Sequence, residues 1–166
     1  MAKKSVIDSI KVRANGATLD LDELYKRMWR WFEMMGYAPK ETEYREATDG
    51  SGAQSMEIRW ECTREVDKLC SYIVRIDFFL LGVKEVEVDK AGIKSKLMKG
   101  NFEILVVGLI DYAADYNTPF LAKLKLLYQK YVLFDRWERQ EKDFRIEVNA
   151  LVAEIKTFFG LYGALV

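Results

Sequence analysis

The stretch Met56-Glu-Ile-Arg-Trp-Glu-Cys-Thr63 alternates apolar and polar side chains along its whole length. Such alternation is typical of a β-strand with one buried face and one face in water. The stretch Cys70-Ser-Tyr-Ile-Val-Arg-Ile-Asp-Phe-Phe-Leu80 follows closely, and its even-numbered residues form one apolar face while Arg75 and Asp77 stand on the other. The two stretches therefore predict two strands of an antiparallel sheet.

Further strands are predicted on both sides of this pair. A strand that begins near Val6 should end at Asn15-Gly16, and the polar stretch 39–48 is typical of an edge strand. Ala91-Gly92 predicts a hairpin turn, and Lys99-Gly100-Asn101 predicts another turn. The stretch 102–112 is apolar at nearly every position and indicates a central strand. We expect five to six strands in all.

Two helical regions are predicted, one after the first strand and one after the last strand. Asp20 followed by Glu23 matches a capping box, and an apolar stripe with intervals of three and four runs from Leu21 to Met35 until Gly36. Thr118-Pro119 predicts the start of a second helical region, whose stripe is interrupted by the charged segment 135–143 and resumes at Phe144. That region is either one long helix with a polar middle, which the spacing favours, or two helices hinged near Asp135 or Asp143.

The order of these elements predicts an α+β fold. An antiparallel sheet carries one N-terminal helix and a long C-terminal helix, or helix pair, packed on it. We expect one domain over residues 1–166, with residues 118–166 as a helical arm within it, because 166 residues match the usual size of a single domain.

Composition excludes several kinds of chemistry. The chain has no histidine, which excludes Ser-His-Asp and Cys-His catalysis and His-ligated zinc. Its two cysteines are too few for a zinc or iron–sulfur centre. The 26 basic and 26 acidic residues balance, which disfavours nucleic acid as a partner. We therefore expect a non-enzymatic protein without a cofactor. No apolar stretch approaches the ~20 residues of a membrane span, and the N-terminus lacks a signal-peptide core, so a cytoplasmic location is expected.

The C-terminal end is unusually apolar, with no charged residue from Thr157 to Val166. The first functional hypothesis is an interaction or scaffold protein that forms a homo-oligomer, or binds another protein, through the C-terminal helix. It predicts that the stripe stays exposed in a lone subunit. The candidate interface residues are Leu151, Ile155, Phe158, Tyr162 and Leu165.

Aromatic residues support a second hypothesis, a carrier or sensor for an apolar small molecule held between sheet and helix. Aromatic rings either fill the core or line a cavity. Arg75 and Asp77 either orient a ligand in an enclosed space or form structural ion pairs with neighbouring strands. The candidate cavity residues are Trp31, Trp60, Arg75, Asp77 and Phe79.

Four lysines surround the predicted hairpin at Ala91-Gly92, and no acidic residue occurs from Ala91 to Asn101. They either form a patch for an anion or phosphate or are solvated side chains that discourage edge-to-edge pairing of sheets. The candidate anion patch consists of Lys90, Lys94, Lys96 and Lys99.

The order strand, helix, antiparallel strands and long C-terminal helix resembles the helix-grip arrangement of START and birch-pollen-allergen type proteins. That resemblance implies a curved sheet gripping the C-terminal helix around an apolar cavity that binds lipids. The helical region from Thr118 to about Tyr162 is longer than one sheet face needs, which departs from that pattern. The segment from Gly82–Asp89 through Phe102–Ile104 also resembles uncharacterised archaeal proteins, and this likeness implies no activity.

Overall fold

A computed structural model describes residues 2–112, 123–124, 127–128, 131 and 134–161. It confirms the α+β class, with one antiparallel sheet of five strands, one N-terminal helix and one long C-terminal helix. The strands are β1 (Ala2–Leu19), β2 (Ala38–Thr48), β3 (Gln54–Asp67), β4 (Cys70–Lys90) and β5 (Ile93–Tyr112), and the helices are α1 (Leu21–Met34) and α2 (Phe134–Leu161).

The strand order in the sheet is β1-β5-β4-β3-β2. Helix α1 therefore carries the chain from one edge of the sheet to the other, and the four strands after it return as successive antiparallel neighbours until β5 pairs with β1. Strand β4 lies at the centre of the sheet, between β5 and β3. Its side chains alternate between the two faces of the sheet.

Two predicted breaks lie inside strands. Strand β1 continues through Asn15-Gly16 with a register shift between Ala14 and Ala17, and Gly16 has a φ of +60°. These residues form a bulge, because glycine adopts that conformation without steric cost. The predicted turn at Lys99-Gly100-Asn101 is also wrong. A Cβ at Gly100 would lie 2.9 Å from the Gly82 carbonyl oxygen, so this glycine permits close contact between two strands.

One face of the sheet is buried beneath both helices. The even-numbered residues of β4 from Cys70 to Leu80 are at most 2 % exposed, and the matching positions of β5 continue the same layer. Helix α1 begins as predicted, because the Asp20 carboxylate accepts a hydrogen bond of 3.1 Å from the Glu23 N–H. Its residues Leu24, Met28 and Phe32 enter the core.

Helix α2 runs without interruption past Asp143, so a hinge at that residue is wrong. Most of the predicted arm before Phe134 lies outside the described residues. The helix approaches the sheet closely at Gly108, where a Cβ would lie 3.0 Å from the Phe144 ring. Tyr72 packs against the same ring, and its hydroxyl donates a hydrogen bond of 3.0 Å to the Gln140 carbonyl. These contacts fix the position of α2 over β4 and β5.

Candidate functional site

A groove of about 560 Å³ lies between α1 and α2. Its floor is apolar and comes from both helices. Four exposed or half-exposed side chains, Glu23, Arg27, Arg30 and Glu154, stand along its rim, and Met34 and Thr157 also line it. The floor residues are Leu24, Met28, Trp31, Leu151, Ile155 and Phe158.

An arginine from the sheet holds the two helices together at one end of the groove. Arg64 of β3 donates hydrogen bonds of 2.8 Å to the Met35 carbonyl and 2.7 Å to the Glu147 carboxylate. The Tyr37 hydroxyl donates a bond of 2.8 Å to the second oxygen of Glu147. The guanidinium of Arg64 also lies 4.8 Å and 5.0 Å from the ring centroids of Tyr37 and Tyr72. This network links α1, β3 and α2 with charge-assisted bonds.

The rim of the groove carries two arginines that form no ion pair with a described residue. The Arg27 guanidinium lies 5.3 Å from the centre of the Phe158 ring, a cation–π contact at the other end of the groove. At one end, Arg64 bonds both to Met35, which follows α1, and to Glu147 of α2. At the other end, Arg27 of α1 contacts Phe158 of α2. The two helices therefore run in opposite directions. Neither Arg27 nor Arg30 forms an ion pair with a described residue, whereas the neighbouring Lys26 pairs with Asp22 at 2.7 Å.

The candidate interface residues are not exposed. Leu151 is 0 % exposed, and Ile155 and Phe158 are each 1 % exposed in the single chain. The expectation that this stripe stays exposed in a lone subunit is therefore wrong, because α2 uses it to pack on the sheet and on α1. Self-association through these side chains would require α2 to leave its own sheet. Tyr162 and Leu165 lie outside the described residues.

The candidate cavity residues do not lie together in the structure. Trp31 lines the groove, whereas Trp60 is 3 % exposed and packs in the core. Arg75, Asp77 and Phe79 lie on the opposite face of the sheet from the helices, so their prediction as cavity residues is wrong. Arg75 pairs with Glu61 at 3.0 Å, and Asp77 pairs with Arg59 at 2.6 Å. These are the cross-strand ion pairs that the alternative interpretation predicted.

The hairpin lysines face carboxylates. Lys94 stands directly opposite Asp89, and Lys96 opposite Glu87. Lys96 also pairs with Glu85 at 3.3 Å. The expectation of an uncompensated basic patch is therefore wrong for these two lysines, because the preceding strand supplies the acidic residues. Lys99 stands opposite Lys84, and the side chain of Lys90 lies outside the described part of the structure.

The two cysteines are buried free thiols. Burial raises the pKa of the Cys62 thiol to about 12 and that of Cys70 to about 11. Both therefore stay protonated near neutrality, where the nucleophilic thiolate is needed for catalysis or metal binding. Within the described ranges, no group of three Cys, Asp or Glu side chains is placed to hold a metal ion.

Sequence reasoning missed the charged rim of the groove. Glu23, Arg27, Arg30 and Met34 follow one another at intervals of four, three and four, beside the apolar stripe of α1. That spacing was a readable signal, because it places all four residues on one side of the helix. Only the packing of α2 shows that this side borders a groove.

The fold and the groove define an α+β protein, in which an antiparallel sheet carries α1 and α2 on one face. No protein-family model, no curated protein and no solved structure matches this chain. In the described portion of the chain, no helix has the length and apolar character that crossing a bilayer requires.

Proposed function

We propose that the protein binds an apolar small molecule in the groove between α1 and α2. The observation that carries this proposal is an apolar floor, built from both helices, beneath a groove of about 560 Å³. Pockets for small molecules have volumes of roughly 300–1,000 Å³ and combine apolar walls with a few polar groups. The groove has both properties.

The rim favours a ligand with an acidic group at one end. Arg27 and Arg30 project from the same side of α1, and neither forms an ion pair with a described residue, while the carboxylates of Glu23 and Glu154 stand elsewhere along the lining. A sulfonate, carboxylate or phosphate would accept charge-assisted hydrogen bonds from these guanidinium groups. The apolar part of the same molecule would then cover Trp31 and Met34, which line the groove and have exposed apolar surface.

A fluorescent probe with an apolar body and an acidic group tests this proposal. We expect 8-anilinonaphthalene-1-sulfonate to bind the native protein saturably, with one site per chain. Met34 lines the groove and is 84 % exposed, so Met34→Gln should fold normally and remove apolar contact area from the site without adding a charge. A loss of about 1 kcal/mol in the free energy of binding would weaken probe binding about fivefold.

The matched control is Ile146→Gln. Ile146 is 67 % exposed on α2 but does not line the groove. This variant should bind the probe as the unchanged protein does. Equal weakening in both variants would contradict the proposal, as would probe binding that appears only in partly denatured protein.

A second candidate function is self-association through a different surface from the α2 stripe. Leu124, Leu127, Tyr128 and Phe134 are 50–61 % exposed and recur at intervals that suit one helix face. Exposed apolar clusters of this kind are typical of protein interaction sites. The zero net charge of the chain adds no repulsion between copies.

Light scattering over a dilution series tests this second candidate. We expect a dimer or larger species that becomes monomeric in Leu127→Lys, because a charge in a desolvated interface lacks compensation. Lys123→Glu provides a control for a change of charge beside this cluster. A mass of 19.4 kDa at every concentration would contradict self-association.

A further inference from the structure

A second cleft, of about 350 Å³, lies on the other side of α1. It is bordered by the start of α1, by β2 and β3, and by the β4–β5 hairpin. Leu21, Met56, Ile58 and Met98 give it apolar walls, and Tyr25 and Tyr44 line it as well. The remaining lining residues are charged, namely Asp20, Asp22, Glu85 and Lys96. The α1–α2 groove and this cleft share no lining residue.

Two buried polar groups next to this cleft have no hydrogen-bond partner. They are the Tyr25 hydroxyl and the indole N–H of Trp60. The two rings lie 5.5 Å apart, and Trp60, which is 3 % exposed, follows the lining residue Ile58 on the same face of β3. A buried donor without an acceptor lowers stability, so native proteins rarely retain one without a reason.

Neighbouring aromatic residues show that partners are within reach elsewhere on this side of the protein. The Trp29 indole N–H donates to the Glu33 carboxylate at 3.1 Å, and the Tyr44 hydroxyl donates to Glu46 at 2.9 Å. Tyr25 and Trp60 differ because the Tyr25 hydroxyl oxygen and the Trp60 indole nitrogen are buried between α1 and the sheet. Burial, with smaller contributions from Tyr44 and Glu41, raises the pKa of Tyr25 well above its ordinary value, so its hydroxyl remains a donor.

We infer that this cleft is a second binding site, for a small and mainly apolar molecule whose carbonyl or hydroxyl oxygen accepts a hydrogen bond from the Tyr25 hydroxyl. The adjacent Trp60 N–H is a second donor for the same end of the ligand. The apolar walls hold the remainder of the molecule. An acceptor fits better than a cation, because an indole N–H can only donate.

Two probes of nearly equal shape test this inference. Acetophenone carries a carbonyl oxygen where its isostere α-methylstyrene carries a CH₂ group. Titrations followed by ¹H–¹⁵N spectra give both association constants, and the indole resonance of Trp60 reports on the site. We expect Tyr25→Phe to lower the ratio of the acetophenone constant to the α-methylstyrene constant about fivefold to tenfold, because the carbonyl loses its donor. Tyr112→Phe, a matched change outside the cleft, should leave the ratio unchanged.

Thermal unfolding of the ligand-free variants provides an independent measurement. Tyr25→Phe should raise the melting temperature, because it removes a buried hydroxyl without a partner. A lower melting temperature with an unchanged ratio would make the hydroxyl a structural group that holds ordered water, and would overturn the inference. Failure of both probes to bind would also overturn it. Met34→Gln in the α1–α2 groove should not alter the ratio, so this test is independent of the proposed function.

Discussion

The two faces of strand β4 differ sharply although they alternate along the same residues. Even-numbered side chains from Cys70 to Leu80 are buried beneath the helices. On the other face, Arg75 and Asp77 form ion pairs with β3, and only Ile73 is buried among the odd-numbered residues from 71 to 79. We call these the covered face and the open face. The covered face supplies most of the core, whereas the open face is held by contacts between neighbouring strands.

The difference explains where binding chemistry can occur in this protein. A sheet face that packs fully against helices leaves no room for a ligand except at the borders of those helices. The groove and the cleft are both such borders, on either side of α1. The ion pairs of the open face satisfy their charges locally, so they leave little unpaired polarity for a ligand.

The largest expected effect comes from two adjacent phenylalanines on opposite faces. Phe78 is 1 % exposed and contacts the rings of Tyr25 and Trp60, each at 4.9 Å, so Phe78→Ala should cost about 3–5 kcal/mol in the free energy of unfolding. Phe79 is half-buried on the open face, and Phe79→Ala should cost about 1–2 kcal/mol. Urea denaturation of both variants gives the comparison. Equal losses would show that the open face is buried in solution.

The next effect concerns an ionisable group on the covered face. Burial raises the pKa of Tyr72 to about 12 from its ordinary value of 10.0. The protonated hydroxyl therefore favours the folded state fully below pH 10, and this contribution is lost as the pH rises toward 12. This difference between the pKa of Tyr72 in the folded and the unfolded chain corresponds to about 2–3 kcal/mol in the free energy of unfolding.

Urea denaturation between pH 8 and pH 11.5 measures this loss of stability. Tyr72→Phe should show a shallower decline with pH than the unchanged protein. The comparison uses slopes, since the variant also loses the hydrogen bond to Gln140 at every pH. Some decline should remain, because Cys62 and Cys70 also have raised pKa values. Identical slopes would mean that Tyr72 ionises as easily in the folded chain as in the unfolded one.

The same comparison shows which parts of the fold are readable from sequence. Alternation predicted β3 and β4 correctly, because a strand with one covered face needs period two. The cap at Asp20 was equally readable, since it depends on neighbouring residues alone. The turns predicted at Gly16 and Gly100 were wrong. Glycine is common in turns, but it also occurs in bulges and where two strands come into close contact. Sequence cannot distinguish these uses without the pairing of the strands.

The candidate site was predictable only in part. The apolar stripes of α1 and α2 were predicted from the sequence. Both helices contribute to the groove, α1 through Trp31 and α2 through Leu151 and Ile155. Whether such a stripe meets solvent, a second chain or its own sheet depends on where the helix lies. The lysines of the hairpin illustrate the same limit, because Lys96 and Glu85 become neighbours only when β4 pairs with β5.

The smallest expected effect is on the open face itself. Asp77 accepts a hydrogen bond of 2.6 Å from Arg59, whose side chain is 42 % exposed and also pairs with Glu43 at 3.2 Å. Because water screens the pair and Arg59 keeps a second partner, Asp77→Asn should cost less than about 1 kcal/mol in the free energy of unfolding. The loss should shrink further in 1 M salt, where the screening length is about 3 Å. A salt-independent loss of several kcal/mol would indicate a desolvated pair. Combined with equal losses at Phe78 and Phe79, that result would make the open face an interface.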